Sequence, residues 1–242
     1  MKTELMNIND MEFKVRIKIH NRNNIRTTIR KKSINISIPR FLPKEEIFKK
    51  VEKMKDWAKK EILDNPQKFK QEPIKNYYDG QEIIIGGERY ILKFKYLDKS
   101  GSSARVKGNS ILLSISSNLS NIQKSKHIST LISRCMARKM LPKVKKRIEE
   151  LNNLHFQEEI KKIFLKYNRS NWGSCSSKGN INVSTRLLFA PLPVQDYLFI
   201  HELAHLIESN HSDKFWALVE KAMPDYRERQ NWLKENGGNC SF

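Results

Sequence analysis

His201-Glu202-Leu203-Ala204-His205 combines two imidazoles and a carboxylate within five residues of this 242-residue sequence. On a helix, histidines at i and i+4 lie one turn apart on the same face, so both rings can reach one zinc ion at about 2.0 to 2.1 Å. Glu202 points about 100° around the helix from His201, close enough to take a proton from a zinc-held water without becoming a ligand. Zinc lowers the pKa of such a water from about 15.7 to about 7, which makes hydroxide available to attack a peptide carbonyl near neutral pH. The spacing therefore predicts metal-assisted hydrolysis, with Glu202 as general base.

A catalytic zinc takes a third protein ligand, and Glu208 and His211 lie just downstream. On a straight helix Glu208 would sit about 10.5 Å of rise beyond His201, too far for one coordination sphere. His211 follows Asn210, a residue that tolerates the left-handed conformation ending a helix, so the chain can turn and bring the third imidazole back. The expected ligand set is His201, His205 and His211 around one Zn2+. Glu208 is left as an outer partner or a surface charge. Three imidazoles also accept cobalt, nickel or copper.

Tyr197, Leu198, Ile200, Leu203 and Leu206 give the carrier helix its apolar positions, and Pro191-Leu192-Pro193 marks its start. Upstream, Ile163 to Tyr167 and Asn180 to Phe189 read as strands around a polar loop, Asn168 to Gly179. The second strand, through Leu188, is expected to offer its edge to an extended substrate. Downstream, Asp213 to Lys221 resumes a helical pattern, Tyr226 and Trp232 anchor a last helix, and Gly237 to Phe242 reads as a loose tail. Arg186, Tyr226 and Arg227 are candidate donors to a transition-state oxyanion, and spacing does not choose among them. Cys175, in Trp172-Gly173-Ser174-Cys175, could serve as a thiol nucleophile, but the stronger metal motif makes this loop a tight turn with Trp172 packed beneath the helix.

The N-terminal half reads differently. Phe13, Val15, Ile17 and Ile19 alternate with Lys14, Arg16, Lys18 and His20, the period of a half-buried strand. Ile25 to Arg30 and Ser33 to Ile38 follow as strands, and Ile47, Val51, Met54, Ala58 and Ile62 mark an amphipathic helix. Gly86-Gly87 supplies a hairpin turn between Gln81–Ile85 and Arg89–Tyr96. After strands at Ala104–Lys107 and Ile111–Ile115, a helix carries Ile128, Leu131, Ile132, Cys135 and Met136, with Pro142 kinking it or starting another. No internal repeat is evident.

The formal charge of +20 predicts attraction to polyanions. From Lys99 to Arg147 there is no Asp or Glu, yet eleven Lys and Arg fall between Arg105 and Arg147. A Lys-rich composition alone also produces such a run, so nucleic acid is carried as a candidate partner and not as a conclusion. No apolar run approaches the roughly 20 residues of a membrane span, and Cys135, Cys175 and Cys240 form no close pair, so a cytoplasmic protein without disulfides is expected.

Asn171-Trp-Gly-Ser-Cys-Ser-Ser-Lys-Gly-Asn-Ile-Asn182, then His-Glu-Leu-Ala-His-Leu from His201, then Asn-His-Ser-Asp-Lys-Phe-Trp from Asn210 resemble the YgjP-like metallopeptidase family. That family is similar to SprT-like and WLM proteases, and the resemblance implies a minimal zincin-like core, a helix against a small sheet. It also implies His201, His205 and His211 as ligands with Glu202 as base. Trp57 and the Tyr-x-Asp-Gly stretch ending at Gly80 extend the similarity thinly over the N-terminal half. Ser170 and Asn171 depart from the Arg expected beside the Trp-Gly-Ser-Cys motif, which leaves that loop's role open.

The expectation is thus an α+β protein with a β-rich region over 1–120 and a zincin-like metallopeptidase domain over 121–242, acting on protein or peptide. Two other readings use the same residues: a DNA-associated protease or nucleic-acid-binding module, and a non-proteolytic zinc hydrolase such as an amidase.

Overall fold

The computed structural model describes residues 2–9, 11–30, 33–69, 75–98, 100–168 and 170–242; Lys99, where the acid-free stretch begins, lies outside them. The fold is mixed α+β. Two compact units divide at Pro73/Ile74, each with its own closed apolar core. The boundary expected at 120 falls inside the second unit, because strands before it and helices after it bury their apolar faces in one shared cluster.

Unit 1 contains β1 (Lys2–Ile8), β2 (Met11–His20), β3 (Arg26–Arg30), β4 (Ser33–Pro39), α1 (Lys44–Asp64) and α2 (Pro66–Phe69). The strands lie in the order β1-β2-β4-β3, with β2 and β4 parallel and both outer pairs antiparallel. β1 extends the sheet expected from the sequence, where its charged alternation hid a strand. Phe13, Val15, Ile34, Ile36 and Ile38 face inward with Val51, Ala58 and Ile62 of α1, all buried. Period-two side chains on β2 and β4 leave Lys14, Arg16, Lys18, Ser33, Asn35 and Ser37 on the opposite face.

Unit 2 begins with β5 (Glu82–Ile85), β6 (Glu88–Leu97), β7 (Ser103–Lys107), β8 (Ser110–Ser116) and α3 (Asn121–His155). Their order, β5-β6-β8-β7, and their pairing senses repeat those of unit 1. The correspondence is residue for residue at an offset of 77, since Met11–His20 recurs as Glu88–Leu97, Arg26–Arg30 as Ser103–Lys107, Ser33–Pro39 as Ser110–Ser116, and Lys44 as Asn121 at the helix start. Both first hairpins close with two residues that include a positive φ, at Asn9 (47°) and at Gly86 and Gly87 (62° and 78°). β4 and β8 even share one burial pattern along Ser-Ile-x-(Ile/Leu)-Ser-Ile. The chain therefore contains a tandem ββββα module, contrary to the expectation of no repeat: the copies kept the alternation of buried and exposed positions while most residue identities drifted.

α3 runs unbroken through Pro142, started by a capping box of Ser120 and Gln123. It packs on β7, β8 and β9 (Lys162–Lys166). β9 joins β10 (Gly173–Cys175) and β11 (Asn180–Ser184) in a second sheet ordered β10-β11-β9. The strand expected over 180–189 ends at Ser184, whose hydroxyl accepts from Arg186 N–H and starts a 3-10 turn, Thr185–Phe189. α4 (Leu192–Ala204), α5 (Asp213–Ala222) and α6 (Tyr226–Asn236) complete the unit.

The C-terminal tail is anchored, not loose. Arg186 donates from Nε to the Cys240 carbonyl (2.8 Å) and from Nη2 to that of Gly237 (2.7 Å), while the Ser129 hydroxyl bonds the Phe242 carbonyl (3.1 Å). Lys75 Nζ bonds the Ser241 carbonyl. The Phe242 ring packs edge-on against Phe189 at 4.8 Å, so the last three residues are buried. A distant arginine and an aromatic pocket supply what the local composition does not advertise.

Candidate metal centre

α4 starts on Pro193 in its first turn, where a missing N–H costs nothing, and buries nine of its residues. It ends at Ala204. His205 is the C-cap residue and keeps helical angles (φ −69°, ψ −12°), which preserves its i+4 relation to His201. The chain then tightens: Leu206 N–H bonds Leu203 O, and Ile207 and Glu208 N–H both bond Ala204 O. The expected left-handed residue at Asn210 is absent, since among the described residues only Asn9 and Gln157 have positive φ without being glycine. The turn comes earlier and from 3-10 bonding. Ser212 then caps α5 by accepting from Phe215 N–H, leaving His211 in the link between the two helices.

The three imidazoles converge. A ligand-capable nitrogen from each of His201, His205 and His211 lies within 4.8 Å of the others, and the ring centroids are 5.0, 5.0 and 4.7 Å apart. His201 Nε2 and His211 Nε2 stand 3.1 Å apart. Burial, then the neighbouring His205 and His211, pushes the His201 pKa down to about 3, so its ring stays neutral, the form that ligates a metal. His205 Nδ1 is 3.0 Å from the Glu208 carbonyl. Donation to that oxygen places the His205 proton on Nδ1 and frees Nε2. Glu208 thus touches the site through its main chain, and its carboxylate has no part in holding His205.

Glu202 is 3% exposed, and its Oε2 has no hydrogen-bond partner in the structure. Burial raises its pKa to about 8. An unpartnered buried carboxyl beside three converging imidazoles fits a site for a divalent cation, whose charge would offset the desolvation of the carboxylate. The donor set of three nitrogens fits zinc.

Sequence reasoning missed the groups that position these side chains. The Phe215 ring, fully buried, touches all three imidazoles at centroid distances of 4.9, 4.4 and 4.8 Å and forms their floor. Trp216 stacks on His211 at 5.8 Å and on Tyr226 at 5.4 Å, and Tyr226 stacks on Tyr197 at 6.5 Å. Phe-Trp after a helix N-cap was visible, but only the turn at 205–208 brings it under the histidines. Gly173, expected in a tight turn, lies instead in β10, where a Cβ would fall 2.3 Å from Glu202 Oε1. Any side chain at this position would displace the Glu202 carboxyl.

Of the candidate oxyanion donors, Arg186 holds the tail and stacks on Trp172 (4.4 Å), so it serves the scaffold. Arg227 is exposed and donates to the Tyr226 hydroxyl (3.2 Å). Tyr226 is one ring removed from His201: it stacks on Tyr197 and on Trp216, each of which meets His201 edge-on. Cys175 is half-buried, and burial followed by Glu202 raises its pKa to about 11, which keeps it a thiol and removes it as a nucleophile. Trp172 packs against Arg186 and Gly237 and lines a cleft together with Tyr197, Leu198, His201 and Glu202 of α4. β11 is the central strand of its sheet and has no free edge, contrary to expectation; the edge strands are β9 and β10. A cleft of about 340 Å³ opens between β10, α4 and α6, with Gly173, Tyr197, His201, Glu202 and Leu233 in its wall.

Helix, turn and triad form a candidate metal centre, and the sequence comparison places the chain in a metallopeptidase class. The family model described as YgjP-like, metallopeptidase domain, matches residues 23–236. The chain belongs to the YgjP-like family. Crystal structures of two metallopeptidase zymogens are similar over 38% of this chain. Pyrococcus abyssi abylysin is 26% identical, with 93% of that chain covered and a TM-score of 0.35. Methanocaldococcus jannaschii jannalysin is 20% identical, with 94% covered and a TM-score of 0.34. None of the curated proteins searched matches the chain.

Proposed function

We propose that this protein is a zinc peptidase that holds one Zn2+ on His201, His205 and His211 and uses Glu202 as general base. The observation that carries this reading is the convergence of three imidazole nitrogens within 4.8 Å beside a carboxylate with an unpartnered oxygen. Bound there, zinc would supply Lewis-acid polarisation of a peptide carbonyl and acidify a water. Glu202 would accept the proton of such a water at Oε2 as its oxygen adds to the carbonyl carbon, and would return that proton to the departing amine as the C–N bond breaks. The Glu208 carbonyl keeps His205 in its Nδ1–H tautomer, and Phe215 keeps the three rings in place. α4 against the sheet of β9, β10 and β11 fits a minimal zincin-like core, and the free edge of β10 fits strand addition by an extended protein or peptide.

Among the described residues no helix is long and apolar enough to cross a membrane. The three cysteines are free thiols, and a cytoplasmic location is part of this proposal because a reducing compartment favours that state.

The test is Glu202→Gln, assayed with elemental analysis and an unbiased peptide library. It should retain one zinc per chain and lose about 10² to 10⁴ in turnover. Turnover near that of the unaltered protein would overturn the assigned base, and absence of zinc from the unaltered protein would overturn the metal site.

A further inference from the structure

The charge of this protein is distributed unevenly within unit 1. α1 carries seven lysines against six acidic residues, so its surface is nearly balanced. On the outer face of the four-stranded sheet the balance disappears. Lys14, Arg16 and Lys18 project from β2, and Arg26 and Arg30 from β3, all exposed. Between them β4 presents Ser33, Asn35 and Ser37, in register with Lys14, Arg16 and Lys18 on one side and with Arg30, Thr28 and Arg26 on the other. Glu4 of β1 points to the α1 side and pairs with Lys55. Among the described residues Glu12, at the hairpin end, is the one carboxylate of these strands on the cationic face. None of the five cations has a carboxylate partner among the described residues, whereas the basic helix α3 is partly neutralised: Lys139 and Lys143 pair with Glu88, and Arg147 with Asp196 and Glu150.

The module repeat supplies a second observation. At the offset of 77, Arg16, Lys18 and Arg30 correspond to Lys93, Lys95 and Lys107, again exposed cations on the sheet face away from the helix. Three of the five cationic positions thus recur as cations in the second module, while Lys14 and Arg26 correspond to Ile91 and Ser103. A composition bias acting on every surface equally would also have made α1 strongly basic.

We propose that the outer face of the β1-β2-β4-β3 sheet, centred on Lys14, Arg16, Lys18, Arg26 and Arg30, binds the phosphate backbone of nucleic acid. Successive outward residues on β2 are about 6.8 Å apart, and β3 lies about 9.6 Å from β2 across β4, so two rows of cations flank a row of hydroxyl and amide donors. That pattern matches rows of phosphate oxygens, which accept from both kinds of group. The face carries no Phe, Tyr or Trp, and its one imidazole, His20, stands at the end of β2, so bases have no stacking platform and binding is independent of sequence. Leu5 is its one exposed large apolar side chain, too little to insert into an anionic bilayer.

Fluorescence anisotropy of the full-length protein with labelled mixed-sequence DNA, single-stranded and duplex, from 50 to 200 mM salt, tests this. The triple variant Lys14→Gln, Arg16→Gln, Lys18→Gln should weaken binding at least about tenfold at the lowest salt and reduce the duplex salt slope by up to about 2.7. An α1 variant that removes the same charge, Lys49→Gln, Lys53→Gln, Lys60→Gln, should change affinity less than about threefold. Equal losses in both variants, a flat salt dependence, undetectable DNA binding, or binding to phosphatidylserine vesicles in preference to DNA would each overturn the proposal. Circular dichroism and zinc content separate these outcomes from misfolding, and neither result bears on the peptidase reading.

Discussion

His201 and Glu202 are neighbours whose buried environment acts on them in opposite directions. The His201 pKa falls from 6.5 to about 3, and that of Glu202 rises from 4.5 to about 8. In the metal-free protein the unfolded chain binds the His201 proton more readily between about pH 3 and 6.5, so stability drops as pH falls through that range. For Glu202 the folded state holds the extra proton between 4.5 and about 8, so stability drops as pH rises there. The two contributions cancel between 4.5 and 6.5 and leave an alkaline decline from 6.5 to about 8 that belongs to Glu202. Chemical denaturation of the zinc-free protein across this range should show that decline, and Glu202→Gln should abolish it. An unchanged alkaline limb in the variant would assign it to other groups.

At the scale of elements, the decisive contact is β10 against α4. Because a Cβ at Gly173 would fall 2.3 Å from Glu202 Oε1 and 2.7 Å from its Cδ, the strand and the carboxyl compete for the same space once any side chain is added. The atoms displaced are the end of a movable side chain, so the fold tolerates the change and the base does not. Gly173→Ala should lower turnover by about 10² or more, the scale of a misplaced catalytic group, with the melting temperature little altered and zinc retained. A melting temperature lowered in step with activity would instead indicate general damage to the sheet. Phe215 is the second such device, since it joins α5 to the histidines of α4 and of the intervening turn.

At the scale of the whole molecule, two separate cores imply two separate folding units. The second unit contains the triad, Glu202 and the aromatic groups that hold them, and its core cluster draws only on its own residues. A fragment spanning 74–242 should therefore fold and bind one zinc with the affinity of the full chain, measurable by competition against a chromogenic chelator. A fragment that is molten or loses zinc affinity tenfold would mean that unit 1 supports the site. Its 169 residues are enough to bury a stable core by themselves.

Local pattern alone determined much of this protein. The strands of both modules other than β1, and α1, α3 and α4, could be read from period-two and helical alternation, and the His201/His205 pair from its i, i+4 spacing, because these signals arise from neighbours along the chain. The module repeat was also present in the sequence, in Ser33-Ile34 and Ser37-Ile38 recurring as Ser110-Ile111 and Ser114-Ile115, but only as a burial pattern at a fixed offset and not as sustained identity. The tertiary structure alone decided the unit boundary, the anchoring of the tail by Arg186, the floor of Phe215 and the requirement for Gly173. Each of these depends on contacts between residues far apart in sequence, whose meeting is set by the packing of whole elements.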